Sequence, residues 1–402
     1  MTHYKFLVVG TGMIGSAAMR HLSLLSDSVC GIGADEPTDP ENHNGVFASH
    51  YDQGRLARKF GKNLVWVPLA VHSIDRYPEI EQQSGITFHG QVGAFMALKA
   101  KGGSRYVLDD LKEAMVEHDV SADVYESGDL RWKEQFPFLN FPDGYRVVFE
   151  HKPAGYVNPR QLRKAQLACA IDNGATSLGE EVATIKPSAD FVEVILDDGR
   201  RFTADKVLVA AGAFVNKPGI LPTHIPIKAQ TEVIVLGEVS AAEVERLKEM
   251  PTVIYQIDDS EISDLYMAPP LLYPDGKWKI KMGANTVSDE YPADTAAIGE
   301  WFRTGDSDQH KEALMRALTS QLPDVVFNSF ETKKCVLTIT PSGNPIIDQA
   351  DESGRLFVAT GGNGAAAKSS DEIGRLAAEF VFDGRWESEL ERSGFQLNAN
   401  QD

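Results

Sequence analysis

The residues with the clearest chemical potential stand near the two ends of the chain. An apolar run, Phe6-Leu7-Val8-Val9, flows into Gly10-Thr11-Gly12-Met13-Ile14-Gly15 and then into an alanine-rich helical stretch at 16–25. Glycines at this spacing between a strand and a helix fit a dinucleotide-binding turn. Gly10 permits the tight reversal, Gly12 lets backbone amides approach a pyrophosphate, and Gly15 lets the helix pack closely on the strand. The positive N-terminus of the helix would take the pyrophosphate charge. Near the other end, the strand-like run 355–359 leads into Thr360-Gly361-Gly362-Asn363-Gly364 and a helical pattern over 365–382. Nearly the whole chain separates the two turns. An NAD-binding domain is normally complete within one domain length, whereas a flavin dinucleotide is long enough for its adenine end to rest on the first turn and its ring on the second. FAD is the expected nucleotide.

The elements between the turns must bring them together. After the first strand and helix, Val29-Cys30-Gly31-Ile32 reads as a second parallel strand, followed by a polar loop over 34–45, as a βαβ unit requires. A helix is expected over 67–81, strands over 87–98 and a helix over 106–118. The segment Gly155-Tyr156-Val157-Asn158-Pro159 opens a helix that Gly174 stops. The run 205–212 shows no polar alternation and reads as a buried strand of the nucleotide sheet. Strand-like patterns at 226–236 and 265–285, with a helix at 241–250 between them, imply a second, mainly antiparallel sheet. The expected class is α/β (α+β overall), a Rossmann-type nucleotide-binding domain interleaved with a mixed or antiparallel-sheet substrate domain. The nucleotide half is expected from 1–85, 150–222 and 325–390, the substrate half from 86–149 and 223–324, and a tail from 391–402.

Composition narrows the class of partner. The chain has 402 residues, 43% hydrophobic and 24% charged, with a formal charge of −19. Such acidity argues against nucleic acid and against an anionic membrane surface, both of which need a concentrated positive field. The first strand begins almost at once and no apolar run approaches roughly 18 residues, so a cytoplasmic protein is expected. The cysteines, Cys30, Cys169 and Cys335, stand far apart with no CxxC spacing, which fits a reducing compartment without disulfides, and no metal site is expected.

These motifs together resemble the monomeric sarcosine oxidase and N-methyltryptophan oxidase group of the D-amino-acid-oxidase-like flavoproteins. The resemblance runs over nearly the whole chain. It rests on the first glycine turn, on Ser49-His50 through Arg55 and Arg58, on Val67-Pro68-Leu69-Ala70, on Gly155 to Pro159, on 205–212, on Cys335 with Pro345-Ile346-Ile347-Asp348, and on Gly361 to Lys368. It implies a GR2-like FAD domain. It also implies FAD joined by a thioether to Cys335, whose thiol Lys333 and Lys334 would help to ionise. Cofactor contacts are expected from Gly10, Gly12, Met13, Ile14, Gly15, Ser49, His50, Arg55, Val182, Cys335, Gly361, Gly362, Asn363, Gly364 and Lys368. Arg58 and Lys368 match the cations that grip a substrate carboxylate, with Asn285 beside them. Lys281 matches the lysine that promotes oxygen reduction, where a fixed ammonium stabilises developing superoxide. Tyr266 matches an active-site tyrosine, and Arg55 is expected near the flavin ring. At a spacing of three, Arg55 and Arg58 would face the same side of a helical turn.

The chain also departs from that pattern. Asn285 stands where the sarcosine enzymes have an active-site histidine, Ala365 replaces a second and Tyr51 a third. Gly33 occupies the position of the usual ribose-binding acid, with Asp35 and Glu36 close by. The implied reaction is oxidation of an amino acid or N-methyl amino acid to an imine, which water hydrolyses, with O2 reduced to H2O2. A dehydrogenase of the same fold passing electrons to another acceptor, and a flavin-binding redox protein of low turnover, are the alternatives. The expected partners are a small amine and O2, and the expected state is monomer or homodimer.

Overall fold

The computed structural model describes residues 1–61, 64–99 and 108–399. Its frame is an eight-stranded sheet built around Thr2–Val9, which lies parallel to Arg201–Val209 on one side and to Val29–Ile32 on the other. Leu356–Thr360 runs parallel to the end of Arg201–Val209, pairing Leu208 with Phe357. The last residues of Thr2–Val9 and Arg201–Val209 are buried on both faces, which is why the sequence there reads as continuous apolar runs. Both glycine turns therefore leave the same carboxyl edge of one sheet, where nucleotides bind in open parallel sheets.

Helices Met13–Leu25, Pro159–Asp172 and Ala366–Asp383 cover one face. The first and last pack so tightly that a Cβ on Gly374 would stand 2.5 Å from the Ala17 Cβ. Helix Met13–Leu25 begins three residues before the expected start, because the glycine turn itself forms its first turn. The segment 155–173 splits into strand Gly155–Val157 and helix Pro159–Asp172, with Asn158 as N-cap accepting from the Gln161 amide at 3.1 Å. The helix expected over 241–250 stops at Arg246, ahead of Pro251. That expected over 106–118 is seen as Leu108–Glu117, with 106 and 107 outside the described residues.

A second eight-stranded sheet has the order Phe327–Ile339, Lys228–Val239, Trp278–Thr286, Ile262–Leu272, Thr252–Tyr255, Ala94–Lys99, Tyr145–Glu150, Ala122–Tyr125. All pairs are antiparallel except Thr252–Tyr255 with Ala94–Lys99, so the sheet is mixed. Phe327–Ile339, within the 325–390 segment expected in the nucleotide half, pairs instead along Lys228–Val239. The residues that follow it then return to the nucleotide sheet. A small three-stranded sheet, Arg55–Ala57, Gly155–Val157 and His89–Gly90, forms a further layer. No described helix is long and apolar enough to cross a membrane.

Candidate flavin cavity and active site

A cavity of about 660 Å³ runs from the first glycine turn to the second. Gly10, Gly12, Met13, Ile14, Ser49, His50, Arg55, Val182, Cys335, Gly361 and Gly362 all line it. Gly10, at φ +91°, has the Ala210 carbonyl oxygen 2.6 Å from where a Cβ would lie, and a Cβ on Gly15 would meet the Gly10 carbonyl oxygen at 1.8 Å. Gly15 therefore packs behind the turn rather than facing the cavity, as the spacing implies.

Several groups suit a long anionic nucleotide. Gly12 caps helix Met13–Leu25 with no side-chain hydrogen bond, leaving first-turn amides for an anion. His50 Nδ1 and Arg160 Nη1 are buried polar atoms without a hydrogen-bond partner among the described residues. His50 lies beside Gly12, its Nδ1 4.0 Å from the place of a Cβ there. Burial and the Arg163, Arg160 and Arg55 charges push His50 down to about 3, so it acts as a neutral ring. The residues fit FAD. At Gly33 a Cβ would come within 2.4 Å of the Thr11 amide nitrogen and hydroxyl, so the turn itself leaves no room for an acid there. Of the neighbouring acids, Glu36 lines the cavity and is held by Arg160 Nε at 2.7 Å.

At the second turn, Gly361 and Asn363 have φ of +87° and +48°. Asn363 does not line the cavity. Its side chain braces the turn, accepting from the Thr340 amide at 2.9 Å and donating to the Gly361 carbonyl at 2.9 Å. Gly364 and Lys368 also lie outside the lining. Lys368 is buried, donates to the Ala365 carbonyl at 3.2 Å and stands 5.9 Å above the Trp66 ring.

Arg55 and Arg58 do not share a face. Arg55–Ala57 is a strand and Arg58 stands just beyond its end, so the helical alignment of a spacing of three does not apply and the two side chains meet different neighbours. Arg55 reaches the cavity, ion-paired to Asp52 and with Nη2 3.8 Å from Cys335 Sγ. Arg58 is buried, donates to the Phe60 carbonyl and adds its charge to the field at Glu150. The cation at the thiol is therefore Arg55, not Lys333 or Lys334. Lys334 turns away to the Phe302 and Arg303 carbonyls, and Lys333 stands over the Tyr273 ring. Burial pushes the Cys335 thiol up, against the pull of Arg55 and Lys281.

Lys281 is fully buried and bonds Asp52 Oδ2 at 2.5 Å and the Gly54 carbonyl at 3.0 Å. It also stands 5.3 Å from the centre of the Tyr266 ring. The phenol of Tyr266 donates to Glu232, and its ring lies where a Cβ on Gly283 would collide, at 2.4 Å. Asn285 lies four residues beyond Lys281 on the same strand, opposite Ser263. Burial, reinforced by Arg55, drives the Lys281 ammonium well below the ordinary lysine range, with Cys335 and Glu232 opposing.

Sequence reasoning missed Asp52, Glu232, Tyr273 and Glu150. Asp52 joins Lys281, Arg55, the Tyr273 hydroxyl at 3.2 Å and the Gln53 amide. It stands inside the segment 49–58 and was legible as the acid among its cations. Glu232 had a weaker signal, a carboxylate beside Val233-Ile234-Val235-Leu236 on a strand that the core encloses.

Glu150 accepts from the Lys59 amide at 2.7 Å and sits at about 7 because burial outweighs those bonds and the Arg58 and Lys59 charges. Its folded value exceeds that of the unfolded chain, so its contribution to stability is present at acid pH and is lost as pH rises from about 4.5 towards 7. The expected contribution is on the order of 3 kcal/mol. Glu150→Gln should flatten the fall in thermal midpoint across that window, and an unchanged slope would place the titration elsewhere.

A family model described as FAD dependent oxidoreductase matches residues 5–380. The chain belongs to this family. FAD is accordingly its cofactor. The chain is 25% identical over 408 residues to monomeric sarcosine oxidase of Bacillus sp. (strain NS-129), covering 99% of this chain and 97% of that one. It is 24% identical over 384 residues to N-methyl-L-tryptophan oxidase of Yersinia pestis (strain Pestoides F), covering 94% and 95%. Its fold is similar to that of NikD, described as an unusual amino acid oxidase essential for nikkomycin biosynthesis, with a TM-score of 0.76 at 18% identity over 100% of this chain and 98% of that one.

Proposed function

We propose that this flavoprotein oxidises a small amine, an amino acid or N-methyl amino acid, to an imine that water hydrolyses, and that it passes the electrons to O2. The observation that carries this reading is the far end of the flavin cavity, where Arg55 and Cys335 meet buried Lys281, Asp52 and Glu232 and the half-buried Tyr266. The family relationship to the sarcosine and N-methyl-L-tryptophan oxidases supports the same substrate class. Bound FAD supplies the acceptor for the hydride equivalent that leaves the carbon beside nitrogen.

The chain's own groups divide the remaining work. Arg58 and Lys368, both buried, bind the substrate carboxylate. The Gly361–Gly364 turn and the N-terminus of helix Ala366–Asp383 place positive backbone charge at the ring end. Cys335 holds the cofactor covalently. Lys281 serves the oxygen half-reaction. The preferred compartment is the cytoplasm.

Anaerobic mixing with a panel of sarcosine, N-methyl-L-tryptophan, glycine and L-proline should bleach the flavin absorbance with at least one of them, and readmitted air should restore it with formation of H2O2. Arg58→Met or Lys368→Met should weaken binding of that amine by on the order of 1.5–3 kcal/mol, a change of about 10- to 100-fold in Kd. Bleaching without H2O2 on admission of air would assign another electron acceptor. Unchanged affinity in both variants would move the carboxylate site.

A further inference from the structure

Glu232 lies directly opposite Cys335 in the antiparallel pairing of Lys228–Val239 with Phe327–Ile339. Their side chains share a face, with Cβ atoms about 5 Å apart as cross-strand partners are. The carboxylate is buried among groups from every neighbouring element. Tyr266 faces it from Ile262–Leu272, Lys281 from Trp278–Thr286, Arg55 from Arg55–Ala57, Cys335 from Phe327–Ile339 and Asp289 from the loop after Thr286. Two of these, Arg55 and Cys335, line the ring end of the cavity.

The hydrogen bonds of this cluster leave Glu232 underused. Lys281 gives its bonds to Asp52 and Gly54, and Arg55 gives its own to Asp52, Gly54, Ser49 and Cys335. The Tyr266 hydroxyl donates to Glu232 Oε1. Oε2 has no hydrogen-bond partner among the described residues, and it is not fully sealed by protein.

An amine can release hydride from its α-carbon only if nitrogen presents a lone pair. Alkyl amines reach the protein as ammonium ions, with pKa values of about 10. We infer that Glu232 binds the ammonium of the substrate through Oε2 and takes its proton, while the Tyr266 hydroxyl holds the carboxylate in place. One N–H bond breaks, its electron pair stays on nitrogen, and one O–H bond forms on Glu232. The ion pair becomes a neutral amine beside a neutral carboxylic acid. Burial raises the Glu232 carboxyl above the ordinary range, against the Tyr266 bond and the Lys281 and Arg55 charges, which makes it a better proton acceptor than a solvated carboxylate. Substrates of this site are therefore amines that arrive protonated. The inference rests on the amine-oxidation reading.

Stopped-flow mixing of the holoenzyme with the best amine of the panel, without O2, tests it. The second-order rate constant for flavin bleaching in the wild type should stay level from the neutral range up to the pKa of the amine. In Glu232→Gln only the free amine is productive. Its rate constant should rise tenfold per pH unit, from about a thousandfold below wild type at pH 7 to near equality at about pH 10. Infrared difference spectra on adding the amine should show a protonated-carboxyl band in the wild type that is missing in the variant. A variant profile parallel to wild type at every pH would reduce Glu232 to a structural role and overturn the inference. Should the variant not fold, the wild-type profile decides alone, because a tenfold rise per unit in the wild type means that no protein group takes the proton. Failure of every amine to bleach the wild type at any pH withdraws the amine-oxidation reading, and this inference with it.

Discussion

Lys281→Met should slow reoxidation of the flavin by O2 by about a thousandfold, equivalent to about 4 kcal/mol, while bleaching by the amine changes far less. The two half-reactions differ in the charge that they create. Electron transfer to O2 generates superoxide, and a fixed ammonium in a water-poor site stabilises that anion without reorganising. Hydride transfer makes no such anion. Lys281 is suited to the task by its rigidity, since Asp52 and the Gly54 carbonyl fix its nitrogen and no solvent reaches it. Because burial lowers its pKa, wild-type reoxidation should decline as pH rises through a range where a solvated lysine would still be charged. The Lys281→Met rate should stay flat. Stopped-flow measurement of both half-reactions decides the matter. Equal slowing of the two would make Lys281 a structural ion-pair partner of Asp52, and unaltered reoxidation would favour an acceptor other than O2.

Flavin should stay with the polypeptide after acid precipitation of the wild type, and Cys335→Ala should release all of it to the supernatant. The sulfur stands on the lining of the cavity, 3.8 Å from Arg55 Nη2. Burial holds this thiol above its ordinary range even against the guanidinium, so removing Arg55 should leave still less thiolate for the attachment. Arg55→Met should accordingly leave a larger extractable fraction even where FAD still binds. Complete extraction from the wild type would return Cys335 to the role of a packed strand residue. Retention of flavin by Cys335→Ala would mean that another side chain carries the linkage.

Local pattern was enough to find both glycine turns, because each depends on neighbours in sequence. A strand must end, a glycine must take a backbone that side chains disfavour or leave room for a close approach, and a helix must start. The same holds for the buried parallel strands, whose continuous apolar runs identify them without knowledge of their partners. The conclusion that both turns serve one cofactor followed from their separation, and the cavity between them agrees with it. The relationship between Arg55 and Arg58 was not legible, since a spacing of three aligns two side chains on a helix and not across the end of a strand. Only the pairing of Arg55–Ala57 with Gly155–Val157, a hundred residues away in sequence, fixes which. Charge partners were hidden for the same reason. Lys333 and Lys334 adjoin Cys335 in sequence, yet their ammonium groups go to the Tyr273 ring and to the Phe302 and Arg303 carbonyls, while Arg55 comes to the sulfur. Asp52, from the loop before Arg55–Ala57, meets Lys281, and Glu232 meets Tyr266 across strands joined by long connections. Sequence by itself determined the backbone devices and the cofactor class, which short-range sterics encode. The tertiary structure alone decided which charges face one another, because electrostatic contact depends on distance in space and burial sets its strength.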